Sequence, residues 1–98
     1  MRLAIDPALP LDPEAADRLE DRICVAFGRF EPLIRSIRVA MSRPRDGEPQ
    51  VSVALQRADG SRMSIQMPGH DIELDALEHL VDRAARTLQR ELRQRINH

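Results

Sequence analysis

Four arginines near the end of the chain, Arg83, Arg86, Arg90 and Arg93, recur at steps of three, four and three. On a helix that spacing puts four guanidinium groups along one flank. A guanidinium is a planar fork able to donate two hydrogen bonds to one phosphate, so such a flank suits a polyanion. The same residues also have a purely structural explanation. The first half of the segment carries Asp71, Glu73, Asp75, Glu78 and Asp82, and the second half carries Arg83, Arg86, Arg90, Arg93 and Arg95 against a single Glu91. Acids at a helix start and cations at its end both complement the macrodipole, by roughly 0.3 to 1 kcal/mol each when exposed. On spacing alone both readings stand.

Other reactive side chains assemble into nothing comparable. His70, His79, His98 and Cys24 are metal-binding types, but no pair has a recognised ligand spacing, so no metal and no cofactor are expected. His70 and Asp71 are adjacent acid and base, yet neither a nucleophile nor a phosphate-binding glycine loop accompanies them. Asp71 reads more simply as a cap of the following helix. The expectation is a protein that is not an enzyme and has no small-molecule substrate.

The elements that carry the arginines follow from periodicity. Leu77, Val81, Ala84, Leu88 and Leu92, with Leu74 and Leu80 beside them, form the apolar stripe of an amphipathic helix spanning roughly Asp71 to Arg95. An earlier helix begins at Asp12-Pro13-Glu14, where Asp12 can cap, Pro13 fits the first turn and Glu14 matches the dipole. Its inward residues are Ala15, Leu19, Ile23, Ala26 or Phe27, and Phe30, and Pro32 should stop it. Arg18, Arg22 and Arg29 lie on this helix, interleaved with Asp17, Glu20 and Asp21.

Between and before the helices the period is two. Leu3 and Ile5 mark an opening strand at Arg2 to Ile5, ended by Pro7 and Pro10. Ile37, Val39 and Met41 alternate with Arg38, Ala40 and Ser42. A loop at residues 44–49 leads to Val51, Val53 and Leu55, and a turn at Ala58-Asp59-Gly60 leads to Met63, Ile65 and Met67. Met41, Met63 and Met67 fall on the inward rows as gap-filling core. The order β-α-β-β-β-α predicts an α+β fold, a four-stranded mixed sheet with both helices on one face and the first two strands parallel where they are neighbours. The opposite face has no aromatic ring, which argues against a sheet on which bases stack.

With 98 residues the chain makes one domain, residues 1–98, with an aliphatic core, since its only aromatics are Phe27 and Phe30. All 15 basic side chains are arginine, yet 16 acids bring the net charge to -1, so nucleic acid could be held only by local basic patches. A single cysteine excludes an intrachain disulfide. No segment approaches the roughly 20 apolar residues that cross a bilayer, and no signal sequence opens the chain, so the expected location is cytoplasmic, with no membrane partner.

Three stretches carry a family resemblance. Leu11-Asp12-Pro13-Glu14-Ala15 through Arg18-Leu19, then Ile37-Arg38-Val39-Ala40-Met41-Ser42, and finally Leu74-Asp75-Ala76-Leu77-Glu78-His79-Leu80-Val81-Asp82-Arg83 resemble, in order and spacing, the ribosome hibernation-promoting and ribosome-associated inhibitor family. The resemblance implies a fold like a double-stranded-RNA-binding domain and an rRNA-binding partner on the small (30S) ribosomal subunit, contacting 16S rRNA. Members sit in the decoding channel where mRNA and tRNA lie and silence idle ribosomes. By position, the family's rRNA-contacting flanks fall on Arg83, Arg86, Arg90 and Arg93 of the last helix and on Arg18, Arg22 and Arg29 of the first. The chain resembles a short form, ending soon after the last helix. It departs from the family at Leu74, where an aromatic is usual, in the acids of its first helix, and in its net negative charge. Those departures define the alternative, a protein-binding module that kept the fold and not the rRNA binding.

Overall fold

The computed structural model describes residues 1–70 and 72–96, the side chains of residues 95 and 96 excepted. The sequence readings of Asp71 as a cap and of His98 lie outside the described residues, and that of Arg95 in the basic run falls on a side chain that is not described. The elements are β1 (Arg2–Ile5), α1 (Pro13–Phe27), a 3-10 segment (Gly28–Leu33), β2 (Ile34–Ser42), β3 (Gln50–Arg57), β4 (Arg62–Pro68) and α2 (Leu74–Ile96).

One four-stranded sheet runs in the order β1-β2-β3-β4. β1 pairs parallel to β2 with Leu3 opposite Ile37 and Ile5 opposite Val39, and the other pairs are antiparallel. The register aligns the inward rows, Val39 with Val53 and Val53 with Ile65, so the apolar period-two pattern of each strand faces the same side. Both helices cover that side. Leu19, Ile23 and Phe27 of α1 and Leu77, Leu80, Val81, Ala84 and Leu88 of α2 meet Ile37, Val39, Val51, Val53 and Leu55 in one core. Met63 is buried in this core, and Met41 and Met67 pack against it half-buried. This is the α+β arrangement that the sequence predicts.

Three local features depart from the sequence expectation. Pro32 does not cap α1 directly: the α-helix ends at Phe27 and the chain continues as a 3-10 segment with Pro32 inside it. A proline ring clashes with the carbonyl four residues before it, here that of Gly28, so α geometry stops there and a tighter turn carries Phe30 into the core. β2 begins at Ile34, two residues earlier than the alternation suggests, because a register irregularity between Ile34 and Ser36 breaks the period. Leu9, between two prolines in the β1–α1 loop, is buried and plugs the core beside α1.

Asp12 caps α1 as expected, its Oδ1 accepting from the Ala15 N–H at 2.7 Å. The β3–β4 turn places Gly60 at φ 92°, a conformation that favours glycine. At the other end of β4, a Cβ on Gly69 would stand 3.0 Å from the Pro49 backbone, which accepts the Gly69 N–H at 2.7 Å. That contact, with His70 Nε2 3.4 Å from Glu48 Oε2, ties the β2–β3 loop to the entry of α2.

Candidate functional site

Two cross-links set how the helices lie. Arg22 of α1 forks onto Asp82 of α2, Nε to Oδ1 at 3.1 Å and Nη2 to Oδ2 at 2.6 Å. Arg29, just past α1, donates from Nη2 to Gln89 Oε1 at 3.3 Å. Each pair lies 60 residues apart in sequence, so the two helices run side by side in the same direction at constant offset. Both C-terminal ends therefore point the same way. By this offset the end of α1 is level with residue 87, and α2 overhangs it by about 13 Å at 1.5 Å per residue. Arg90 and Arg93 stand on the overhang.

The parallel arrangement brings the two arginine flanks together. A depression between the helices is lined by Arg22, Val25, Ala26 and Arg29 from the α1 side and by Asp82, Ala85 and Arg86 from α2. A second depression, lined by Arg86, Gln89, Arg90 and Arg93, adjoins it through the shared Arg86. Five of the seven sequence-predicted residues thus converge on one continuous surface. Arg18 and Arg83 are exposed on their helices and line neither depression. Arg93 stands in the last turn of α2, where a cation offsets the negative helix end, whereas α1 carries no basic residue in its own last turn.

The arginines are not equivalent. The Asp82 hydrogen bond, and after it the Asp82 charge, raise the pKa of Arg22 further above its ordinary value. Arg29 lies 4.9 Å over the Phe30 ring in addition to its Gln89 bond. On α2, Arg90 Nη2 reaches Thr87 Oγ1 at 3.5 Å, while that hydroxyl donates to the Arg83 carbonyl at 2.9 Å. None of Arg83, Arg86, Arg90 and Arg93 forms an ion pair with a described residue. Such a surface can hold phosphates by charge and by forked hydrogen bonds, with an apolar strip of Val25, Ala26 and Ala85 between the arginines.

Sequence reasoning missed three participants. Val25 is 77% exposed at the groove, an apolar residue on the outer side of α1. Asp82 and Gln89 engage arginines of the other helix, and a separation of 60 residues leaves no local signal of that pairing. Away from the groove, Arg57 closes the inward row of β3, 7% exposed and 4.0 Å from Asp59 Oδ2. Here a signal existed, since the parity of Val51, Val53 and Leu55 runs on to residue 57.

The remaining candidates stay apart. Cys24 and His79 are exposed, and among the described residues no group of three His, Cys, Asp or Glu side chains could hold a metal ion. No described helix is long and apolar enough to cross a membrane.

No family model and no curated protein matches the chain. Among solved structures, it is similar to the Protein Y N-terminal domain of Thermus thermophilus, with a TM-score of 0.54 and 16% identity over 96% of this chain and 98% of that one. At that identity the likeness establishes a shared fold over essentially the whole domain.

Proposed function

We propose that the chain is a non-enzymatic, cytoplasmic factor that binds the small ribosomal subunit through rRNA phosphates in the decoding channel, and so modulates translation or holds idle ribosomes. The observation that carries the reading is the convergence of Arg22, Arg29, Arg86, Arg90 and Arg93 on one surface between two parallel helices. A chain with net charge -1 has no bulk attraction for RNA, so the positive groups must be concentrated locally, as they are here. The resemblance of the two helix entries to the hibernation-promoting family, and the fold shared with a Protein Y domain, support the same assignment.

Sedimentation of the full chain with purified small ribosomal subunits on sucrose gradients tests it. Wild type co-sediments, and the variant Arg86→Glu/Arg90→Glu/Arg93→Glu stays at the top while keeping its melting temperature. Equal sedimentation of both proteins overturns the reading. About four to six neutralised phosphates would also make affinity fall steeply as salt is raised.

A second reading has its own observation. Asp17, Glu20 and Asp21 are all exposed on α1, and Asp82 already neutralises Arg22, which suits a basic or mixed protein surface. Capture of one non-ribosomal protein from lysate, insensitive to nuclease and moderate salt, together with failure to sediment with small subunits, would favour that module.

A further inference from the structure

The inter-helix depression holds a carboxylate among its arginines. Asp82 stands in its wall, and Arg22 grips it at two points, 3.1 and 2.6 Å. This is the fork geometry by which an arginine holds the two free oxygens of a phosphodiester. Arg29 and Arg86 line the same depression as the Arg22–Asp82 pair.

We propose that Asp82 is an internal stand-in for phosphate: it fills the Arg22 fork in the free protein, and a phosphodiester of the bound RNA replaces it among Arg22, Arg29 and Arg86. The inference rests on the RNA-binding reading and adds to it a defined phosphate subsite with a built-in competitor. Exposure makes the exchange feasible. The Arg22 side chain is 43% exposed and that of Asp82 24%, so water and an incoming anion can reach both ends of the pair. A phosphate seated in the depression would keep the Arg22 fork and add the attraction of Arg29 and Arg86, which line the same walls. The displaced carboxylate turns to water but remains near the bound phosphate and repels it. Asp82 therefore lowers affinity and rejects ligands too weakly charged to displace it, keeping the groove closed to isolated anions while a backbone with adjoining phosphates on Arg90 and Arg93 can still compete.

The test measures binding of the N-terminally labelled full chain to purified small ribosomal subunits across a salt series. Asp82→Asn keeps the side-chain shape and removes the charge. It should bind roughly three- to tenfold tighter at low salt, with the advantage shrinking as salt rises. Its log–log salt slope should be steeper than that of the wild type, because its groove carries one more uncompensated cation. Arg22→Gln should weaken binding, and Asp82→Asn should add less in that background than it adds to the wild type. Unchanged or weaker binding by a folded Asp82→Asn protein overturns the proposal. So does a gain of equal size with and without Arg22, because Asp82 would then act as an ordinary negative charge. Melting temperatures of both single variants and of Arg22→Gln/Asp82→Asn, which leaves neither charge unpaired, establish that each is folded. The two levels fail differently. If wild type and the triple α2 variant are alike in not binding, the RNA reading itself falls and this proposal with it. If wild type binds, the triple variant does not and Asp82→Asn is neutral, only the role of Asp82 is lost.

Discussion

The arginines of α1 and those of α2 look alike in the chain and differ in what surrounds them. On the α1 side, Arg22 is forked onto Asp82, and Arg29 is divided between Gln89 and the Phe30 ring. On the α2 side, Arg86, Arg90 and Arg93 form no ion pair with a described residue, and two of them stand on the part of the helix that overhangs α1. Asp82 and Gln89, the hydrogen-bond partners of Arg22 and Arg29, both come from α2, so one flank of α2 clamps the first helix while the next presents cations without an ion-pair partner among the described residues. A guanidinium already hydrogen-bonded must give up those bonds to take a phosphate, whereas one facing water gives up only solvent. Charge carried and charge available are therefore different quantities, and α2 has more of the second.

The comparison breaks most severely if the platform beneath both flanks is removed. Phe27 is fully buried under α1, and Phe27→Ala should cost roughly 3–5 kcal/mol in urea or thermal unfolding. A loss below about 1 kcal/mol would mean that α1 is not anchored where its arginines need it. Next in size is the direct contrast of flanks. Each charge-assisted hydrogen bond to phosphate contributes about 1.5–3 kcal/mol, so Arg86→Glu/Arg90→Glu/Arg93→Glu should weaken small-subunit binding by more than about a hundredfold. Arg18→Gln/Arg29→Gln should weaken it by less than about tenfold on the same assay. Equal losses would erase the distinction between the helices.

A third kind of arginine sharpens the point. Arg57 is buried at the end of β3, where its stem packs more than its charge binds. Arg57→Met should keep most of the stability, and Arg57→Ala should lose about 1–2 kcal/mol by denaturation. The opposite ranking would make the Asp59 contact at 4.0 Å the dominant interaction.

The smallest effect concerns a carboxylate held by backbone instead of by arginine. Asp6 accepts N–H bonds from Ala8 at 2.9 Å and Met41 at 3.3 Å, which lower its pKa from the ordinary 3.8, with a further lowering from the Arg38 charge and a partial opposition from burial. Because the folded pKa lies below the unfolded one, the stabilisation is complete above the unfolded value and is lost as pH falls through the folded value. Melting temperature should drop on acidification below about pH 4, and Asp6→Asn should flatten that part of the profile. An unchanged profile in the variant would assign the acid sensitivity to other carboxylates.

Much of this architecture was legible in the residues. The 3.6-residue stripes of α1 and α2, the Asp12-Pro13 entry and the period-two rows of four strands depend on contacts within a few positions, which a single chain displays. The α1 boundary departs from the local pattern because Pro32 acts four residues upstream through its ring, and the inward place of Arg57 is set by strand parity that its charge conceals. The arginines themselves were visible from their spacing. Their partners were not.

By itself the sequence determined the types of element, their inward faces and the supply of arginine on each helix, because those properties are set by local periodicity and side-chain chemistry. Only the tertiary structure decided that the helices run parallel at a constant offset, that Asp82 meets Arg22 and that Arg86 joins two depressions into one surface. Those outcomes follow from how two apolar stripes settle on one sheet, a packing problem solved by the whole core at once and written in no single segment of the chain.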